Sequence, residues 1–228
     1  MKKKHLIFIL LLFVLCSEKA QSQSYIGTKS GVNIPSVYFT DFVIDTRFRT
    51  GYFASPYISL TYRYMHHPKI GIQMDLAYSS KGWQQNTLEF TNSFRTEINY
   101  IEMPVYMHWA IIGNKNFKFN IDLGFYTAYA ISTNKTVKND QDVEENILRY
   151  NIETDNKGDF GLVMGASLSY NFPFGIIQIE GGFKTGFANI FPRSYIKKEN
   201  PAVSTNQVPN ITISYLIPLS RSGKSKND

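Results

Sequence analysis

Few residues in this chain have the types and spacing that chemistry needs. Beyond the N-terminal segment there are three histidines, with His66 and His67 adjacent beside Pro68 and His108 on its own. Two neighbouring histidines with no further ligand make a poor metal site, because a bound metal needs three or four convergent donors. No GxSxG, no phosphate-cradling glycine loop and no HExxH occurs. A serine nucleophile also needs a base within hydrogen-bond reach, and no serine is placed beside His108 by any spacing. The sequence therefore predicts no catalytic residue, no metal ligand and no cofactor. What remains is a scatter of single charges among small and apolar residues: Arg63, Asp75, Glu102, His108, Lys118, Asp122, Glu180 and Lys184. They can act together only if the fold gathers them.

The elements that would do so have a period of two. Ile70, Ile72, Met74, Leu76 and Tyr78 alternate with Gly71, Gln73, Asp75, Ala77 and Ser79. This is the pattern of a strand between one apolar and one polar surface. It recurs over 52–64, 96–112, 117–126, 160–170, 177–184 and 211–219, with a glycine-bearing first strand over 25–33. Pro56 and Pro104 interrupt it and must sit at a bulge or a locally unpaired position, since proline cannot donate to a ladder. The connections alternate in length. Residues 34–50, 82–95, 132–157 and 188–206 are long and polar, whereas 65–69, 113–116 and 171–175 are tight turns.

The first 22 residues have another character. Lys2 to Lys4 precede an apolar run, Leu6 to Leu15, followed by small polar residues with Ala20 and Ser22 spaced like a cleavage site. That is the layout of a secretory signal peptide, and the run is too short to span a bilayer. Cys16 invites a lipoprotein reading, but Leu15 before it is bulky where a small residue is usual. Cleavage between Ala20 and Ser24 leaves no cysteine, which excludes disulfides and thiolate sites. The segment takes four lysines and one glutamate with it, lowering the formal charge from +6 to +3. No basic stripe remains that would argue for nucleic acid.

These patterns predict an all-β fold: a transmembrane antiparallel up-and-down β-barrel of eight strands. The expected organisation is a signal peptide over 1–22, an outer-membrane barrel over 23–219 and a polar periplasmic tail over 220–228. Aromatics make up 15% of the chain. On the apolar face Tyr52, Tyr64, Tyr78, Trp109, Phe117, Tyr129 and Tyr170 lie near strand ends, as in the ring girdles of membrane barrels. The rival is a soluble lipocalin-like barrel with its apolar face turned inward around a ligand. Alternation fixes two faces without saying which is outside.

Five short motifs carry a resemblance. Gly31-Val32-Asn33, Tyr78-Ser79-Ser80-Lys81-Gly82, Tyr100-Ile101-Glu102-Met103-Pro104, Gly124-Phe125-Tyr126 and Asp159-Phe160-Gly161-Leu162 occur in the order and spacing of the PorT-type outer-membrane β-barrel family. From about Tyr25 to Leu219 the chain resembles that family. The resemblance implies an eight-stranded barrel in the outer membrane. The secretion and gliding role of its best-known member is not carried over. Barrels of this kind resemble one another in ending on an aromatic residue; here the last strand ends Ile217-Pro218-Leu219, with Tyr215 as the alternative signal.

Functional expectations follow from the two surfaces. By parity, Arg63, Asp75, Glu102, His108, Lys118, Asp122, Glu180 and Lys184 point inward, and all of these but Lys118 are expected to form a lumen charge network, with Asp75 opposite Glu102 and His108 opposite Asp122. Charges in so narrow a lumen must be paired or hydrated. The long loops offer Tyr38, Phe39, Phe42, Phe191, Arg193 and Tyr195 as partner-binding candidates. Expected partners are membrane lipids, including lipopolysaccharide, and a protein met at the extracellular loops or in a secretion apparatus. A structural or interaction role is the first reading; a small-solute pore and a lipid-A-modifying enzyme are the alternatives.

Overall fold

The computed structural model describes residues 23–40, 48–87, 93–138, 148–192 and 201–219. The expected signal segment with Cys16 and the expected tail over 220–228 lie outside them. Ten strands form: β1 (Gln23–Asn33), β2 (Ser36–Thr40), β3 (Phe48–Gly51), β4 (Ser55–His67), β5 (Ile70–Thr87), β6 (Ser93–Gly113), β7 (Phe117–Lys138), β8 (Gly158–Phe172), β9 (Gly175–Gly186) and β10 (Val203–Pro218). Eight of them, β1 and β4 to β10, pair antiparallel with their sequence neighbours, and β1 closes on β10. The short pair extends this wall. β2 continues the pairing with β10 where β1 leaves it, and β3 does the same for β4 along β5.

The three tight connections, 68–69, 114–116 and 173–174, share one rim with Gln23 and Leu219. The long connections share the other. They are shorter than the polarity pattern implied: β5 runs on to Thr87, β6 starts at Ser93, β7 reaches Lys138 and β10 starts at Val203. Beyond the membrane neither face needs an apolar set, so alternation stops while the backbone ladder continues. Both prolines sit where pairing with β5 is interrupted. Pro56 pairs with Val32 of β1 but precedes the first β4–β5 partner, Tyr57. Pro104 lies in the gap between the Met74–Val105 and Ala77–Glu102 partners.

Face assignment rejects the soluble barrel. Leu60, Leu76, Leu123, Ile179 and Ile213 are exposed, and Phe125 is 67% exposed, whereas Glu102 and Gln73 are at 0%. A chain with its apolar side bare and its charges enclosed matches lipid outside and protein inside. Tyr64, Trp109, Phe117 and Tyr170 ring the turn rim on this outer face, beside stacked Phe172 and Phe174. Tyr52, Tyr129 and Phe160 ring the other rim, Phe160 edge-on to Phe187 at 6.1 Å. From Phe160 to Tyr170 are ten residue steps along β8. At about 3.3 Å per residue and a tilt near 40° the girdles stand about 25 Å apart, the height of a membrane barrel's apolar band.

Two glycines of the sequence motifs are required by the backbone. A Cβ on Gly31 would fall on the carbonyl oxygen of Ile211, so the β1–β10 seam closes only without one. Gly82 has φ 141° and would meet the Thr96 carbonyl in the same way.

A charged lumen beneath an aromatic cap

The inward positions of the eight strands meet in two clusters at different heights. In the half near the turn rim, Lys29 of β1 lies 3.2 Å from Asp75 and 3.0 Å from Glu180. It also donates to Tyr106 Oη at 2.6 Å, and that hydroxyl donates to Asp75 at 2.9 Å. Arg63 reaches the same carboxylates through neutral amides. Its Nε donates to Gln73 Oε1 and its Nη2 to Gln178 Oε1, both at 2.7 Å. Gln73 then donates to Asp75 at 3.0 Å, and Gln178 to Glu180 at 3.3 Å. His108 Nδ1 and Asp122 Oδ1 are 2.7 Å apart across the β6–β7 ladder, where the two residues are direct partners.

The second cluster lies nearer the long connections. Lys81 bridges Glu102 at 2.7 Å and Asp159 at 3.0 Å, and Lys184 pairs with the other Glu102 oxygen. Tyr126 and Asn206 each donate to Asp159 at 3.0 Å. The Lys81 ammonium stands 4.1 Å from the Tyr126 ring centre and 5.0 Å from that of Tyr100, and Lys184 lies 4.2 Å over Tyr57. Aromatic faces are attractive surroundings for a buried ammonium that has lost its water. Just beside it, Asn33 donates to Ser79 Oγ and the Ser80 carbonyl, and Ser80 to Asn99.

Above this cluster the mouth is roofed by apolar side chains. Trp83 is fully buried, with Phe39 and Phe191 edge-on to it at 5.7 Å each. Val37, Ile98, Leu148, Tyr150 and Ile190 complete the packing. The connections are pinned by one backbone bond and one side-chain bond to a backbone carbonyl. Ile190 N donates to the Ser204 carbonyl at 2.8 Å, and Tyr150 Oη to the Asn156 carbonyl at 3.1 Å.

All seven residues of the expected charge network are buried in the lumen. Lys118 instead stands half-buried at the turn rim, donating to the Pro68 carbonyl. One expected pairing is wrong. Ala77, not Asp75, lies opposite Glu102, so the two carboxylates do not face each other and each has its own lysine. The β5–β6 register is the same on both sides of the gap at Pro104, so the offset comes from counting back from the polar stretch 82–95, whereas the ladder runs on to Asn86 and Ser93. Of the loop candidates, Phe191 is buried in the cap and Phe39 packs half-buried against it, while Tyr38 points outward at 55% exposure. Phe42, Arg193 and Tyr195 lie outside the described residues.

Sequence reasoning missed Lys29, Lys81 and Asp159. Lys29 is flanked by outward Thr28 and Ser30, polar residues that blur the first strand's alternation. Lys81 follows from carrying the Gln73, Asp75, Ala77, Ser79 parity one step further. Asp159 opens β8 directly after a long connection, where no pattern precedes it.

The lumen is thus a stack of interlocked ion pairs under an aromatic cap. The family model for the outer membrane protein beta-barrel domain matches residues 19–192. No curated protein matches the chain. Among solved structures, OprG from Pseudomonas aeruginosa aligns at 14% identity and a TM-score of 0.43, over 86% of this chain and 93% of that one. Ail, the attachment invasion locus protein of Yersinia pestis, aligns at 13% identity and 0.37, over 86% and 97%. Outer Membrane Protein W of E. coli aligns at 9% identity and 0.46, over 87% and 99%.

Proposed function

The chain belongs to the outer membrane protein beta-barrel domain family, and from that premise we propose that it is a closed scaffold whose extracellular rim is its working surface. In such barrels the short turns face the periplasm and the longer connections face outward. The cap and the upper charge cluster therefore lie on the extracellular side. The observation that carries the reading is the double closure of the lumen: Lys81 locked between Glu102 and Asp159, with Trp83, Phe39 and Phe191 above. A solute would have to break several buried charge contacts and displace the lid, each costly without replacement. The class of partner is a protein or lipid surface met at the rim, where Tyr38, Lys135 and Arg149 are exposed. Lipopolysaccharide phosphates suit the two basic side chains.

Within the family, we read the chain as a PorT-type member. Support comes from the motif residues Asn33, Ser79, Ser80, Lys81, Glu102, Tyr126 and Asp159, which five separate strands bring to one level. An enzymatic reading has less support, since the recorded bond of His108 is to Asp122 and not to a serine.

Planar-bilayer recording of the purified barrel tests the scaffold reading. The expected trace is silent, and Glu102→Gln lowers thermal stability without opening a current. Reproducible stepwise conductance from the native protein, lost in Glu102→Gln, overturns it.

A further inference from the structure

The two lumen clusters differ in charge. In the upper one, Lys81 and Lys184 balance Glu102 and Asp159. In the lower one, Lys29 and Arg63 stand against Asp75, Glu180 and Asp122, all nine-tenths buried or more. Among the described residues, two permanent cations against three carboxylates leave one uncompensated negative charge in the periplasmic half. Lys118 does not cancel it, because it stands half-exposed at the rim, bonded to Pro68. A buried net charge is strongly disfavoured unless something of opposite sign shares the space.

Unpartnered oxygens mark where that something sits. His108 engages Asp122 Oδ1, but Asp122 Oδ2 is buried without a hydrogen-bond partner. Asn120 lies two residues away on the same face; its Nδ2 donates to Ser167 and Ser169, and its Oδ1 is also buried without a partner. The ladder brings a third acid close. Gly165 is the direct partner of Asp122, and Glu180 Oε1 stands 3.2 Å from where a Gly165 Cβ would be. Glu180 Oε2 takes the bonds from Lys29 and Gln178, leaving Oε1 on the Gly165 side. Ser167 is the direct partner of both Asn120 and Glu180.

We propose that the periplasmic half of the lumen holds one monovalent alkali cation, coordinated by oxygens of Asp122, Asn120 and Glu180 with Ser167 beside them. The donor set is all hard oxygen, which suits alkali and alkaline-earth ions over softer metals. A single charge neutralises the lower cluster, whereas a divalent ion would overshoot. Water could satisfy the orphaned oxygens but not the charge. A proton on His108 could supply the charge but not the partners, since His108 already occupies the other Asp122 oxygen. The groups facing His108 include Asp122 from β7 and the Arg63 and Lys29 cations from β4 and β1. The cation goes beyond the scaffold reading and does not depend on it, for a barrel that conducts could still hold a resident ion.

The test is thermal unfolding of the full-length barrel in nanodiscs at about pH 8 and constant ionic strength near 0.15 M. Sodium, potassium and N-methyl-D-glucamine chlorides are compared. The expected result is a midpoint about 5 °C lower in N-methyl-D-glucamine, the signature of a lost native-state ligand. Asp122→Asn abolishes that difference and Asn120→Ala reduces it; both remain heat-modifiable on gels, which shows that they fold. A crystal soaked in thallium(I) shows an anomalous peak between Asp122 and Glu180. Equal midpoints in the three salts overturn the proposal, as does a cation dependence that survives in Asp122→Asn. It is equally overturned if stability in sodium chloride rises as pH falls from about 8 to 6 and His108→Gln removes that rise, because a proton then compensates the charge even with the alkali ion present.

Discussion

The upper and lower halves of the lumen solve one problem in two ways. Near the periplasm only one cation, Lys29, pairs directly with Asp75 and Glu180, while Arg63, among the described residues, reaches the same carboxylates through Gln73 and Gln178. Near the cell surface, Lys81 and Lys184 contact their carboxylates at ion-pair distance under an aromatic roof. The first arrangement spreads charge over many bonds, so losing one member leaves alternatives. The second concentrates it, so losing one member strands a charge. Tolerance to mutation should therefore fall from the periplasmic to the extracellular half.

The largest expected effect is Lys81→Met, which leaves Glu102 and Asp159 without their shared cation. A cost of about 3–5 kcal/mol is expected, read as a shift of urea unfolding in lipid vesicles. A loss near zero would mean that Lys184 and water take over, and the contrast between the halves would collapse. Trp83→Ala comes next, at about 3 kcal/mol for a large ring removed from between Phe39 and Phe191. It should loosen the rim, seen as faster proteolysis there, while bilayers stay silent because Lys81 still closes the lumen below. Arg63→Met should cost less, about 2 kcal/mol, since its partners are neutral amides that can bond to water or each other. Were it to match Lys81→Met, the amide relays would be as brittle as direct pairs. The smallest effect is expected at the outer surface. Arg95 pairs with Glu97 and lies 3.9 Å over the Phe53 ring, but it is partly exposed. Arg95→Ala should change stability by about 0–1 kcal/mol, less at high salt.

The fold was legible wherever lipid imposes a rule. Leu123 and Phe125 must alternate with Asp122 and Gly124 because one side of β7 meets hydrocarbon and the other does not. The His108–Asp122 partnership was readable too, because both lie within a few residues of the tight turn 113–116, and the bulge between Ala110 and Ile112 shifts the ladder by only one residue. The site was legible only in part. Eight inward charges, Lys118 among them, could be named from parity, yet Lys29, Lys81 and Asp159, which hold the others in place, were not: Lys29 stands among outward polar residues, Asp159 at the start of its strand, and Lys81 past the apolar run of β5, where the ladder continues without alternation. The loop aromatics misled for a related reason: Phe39 and Phe191 look available in a linear reading, but each fills a gap against Trp83.

Period-two alternation and the rhythm of long and short connections by themselves determined an eight-stranded barrel with one apolar and one polar face, since successive side chains of a strand point to opposite sides; that the apolar face is the outer one was decided by the closed fold. Which charge meets which was decided by the closed barrel alone. Lys29 and Glu180 are 151 positions apart in sequence and 3.0 Å apart in space, a contact set by strand register, bulges and the β1–β10 seam together. No local pattern encodes those, because a one-residue slip in any ladder would redistribute every partner in the lumen.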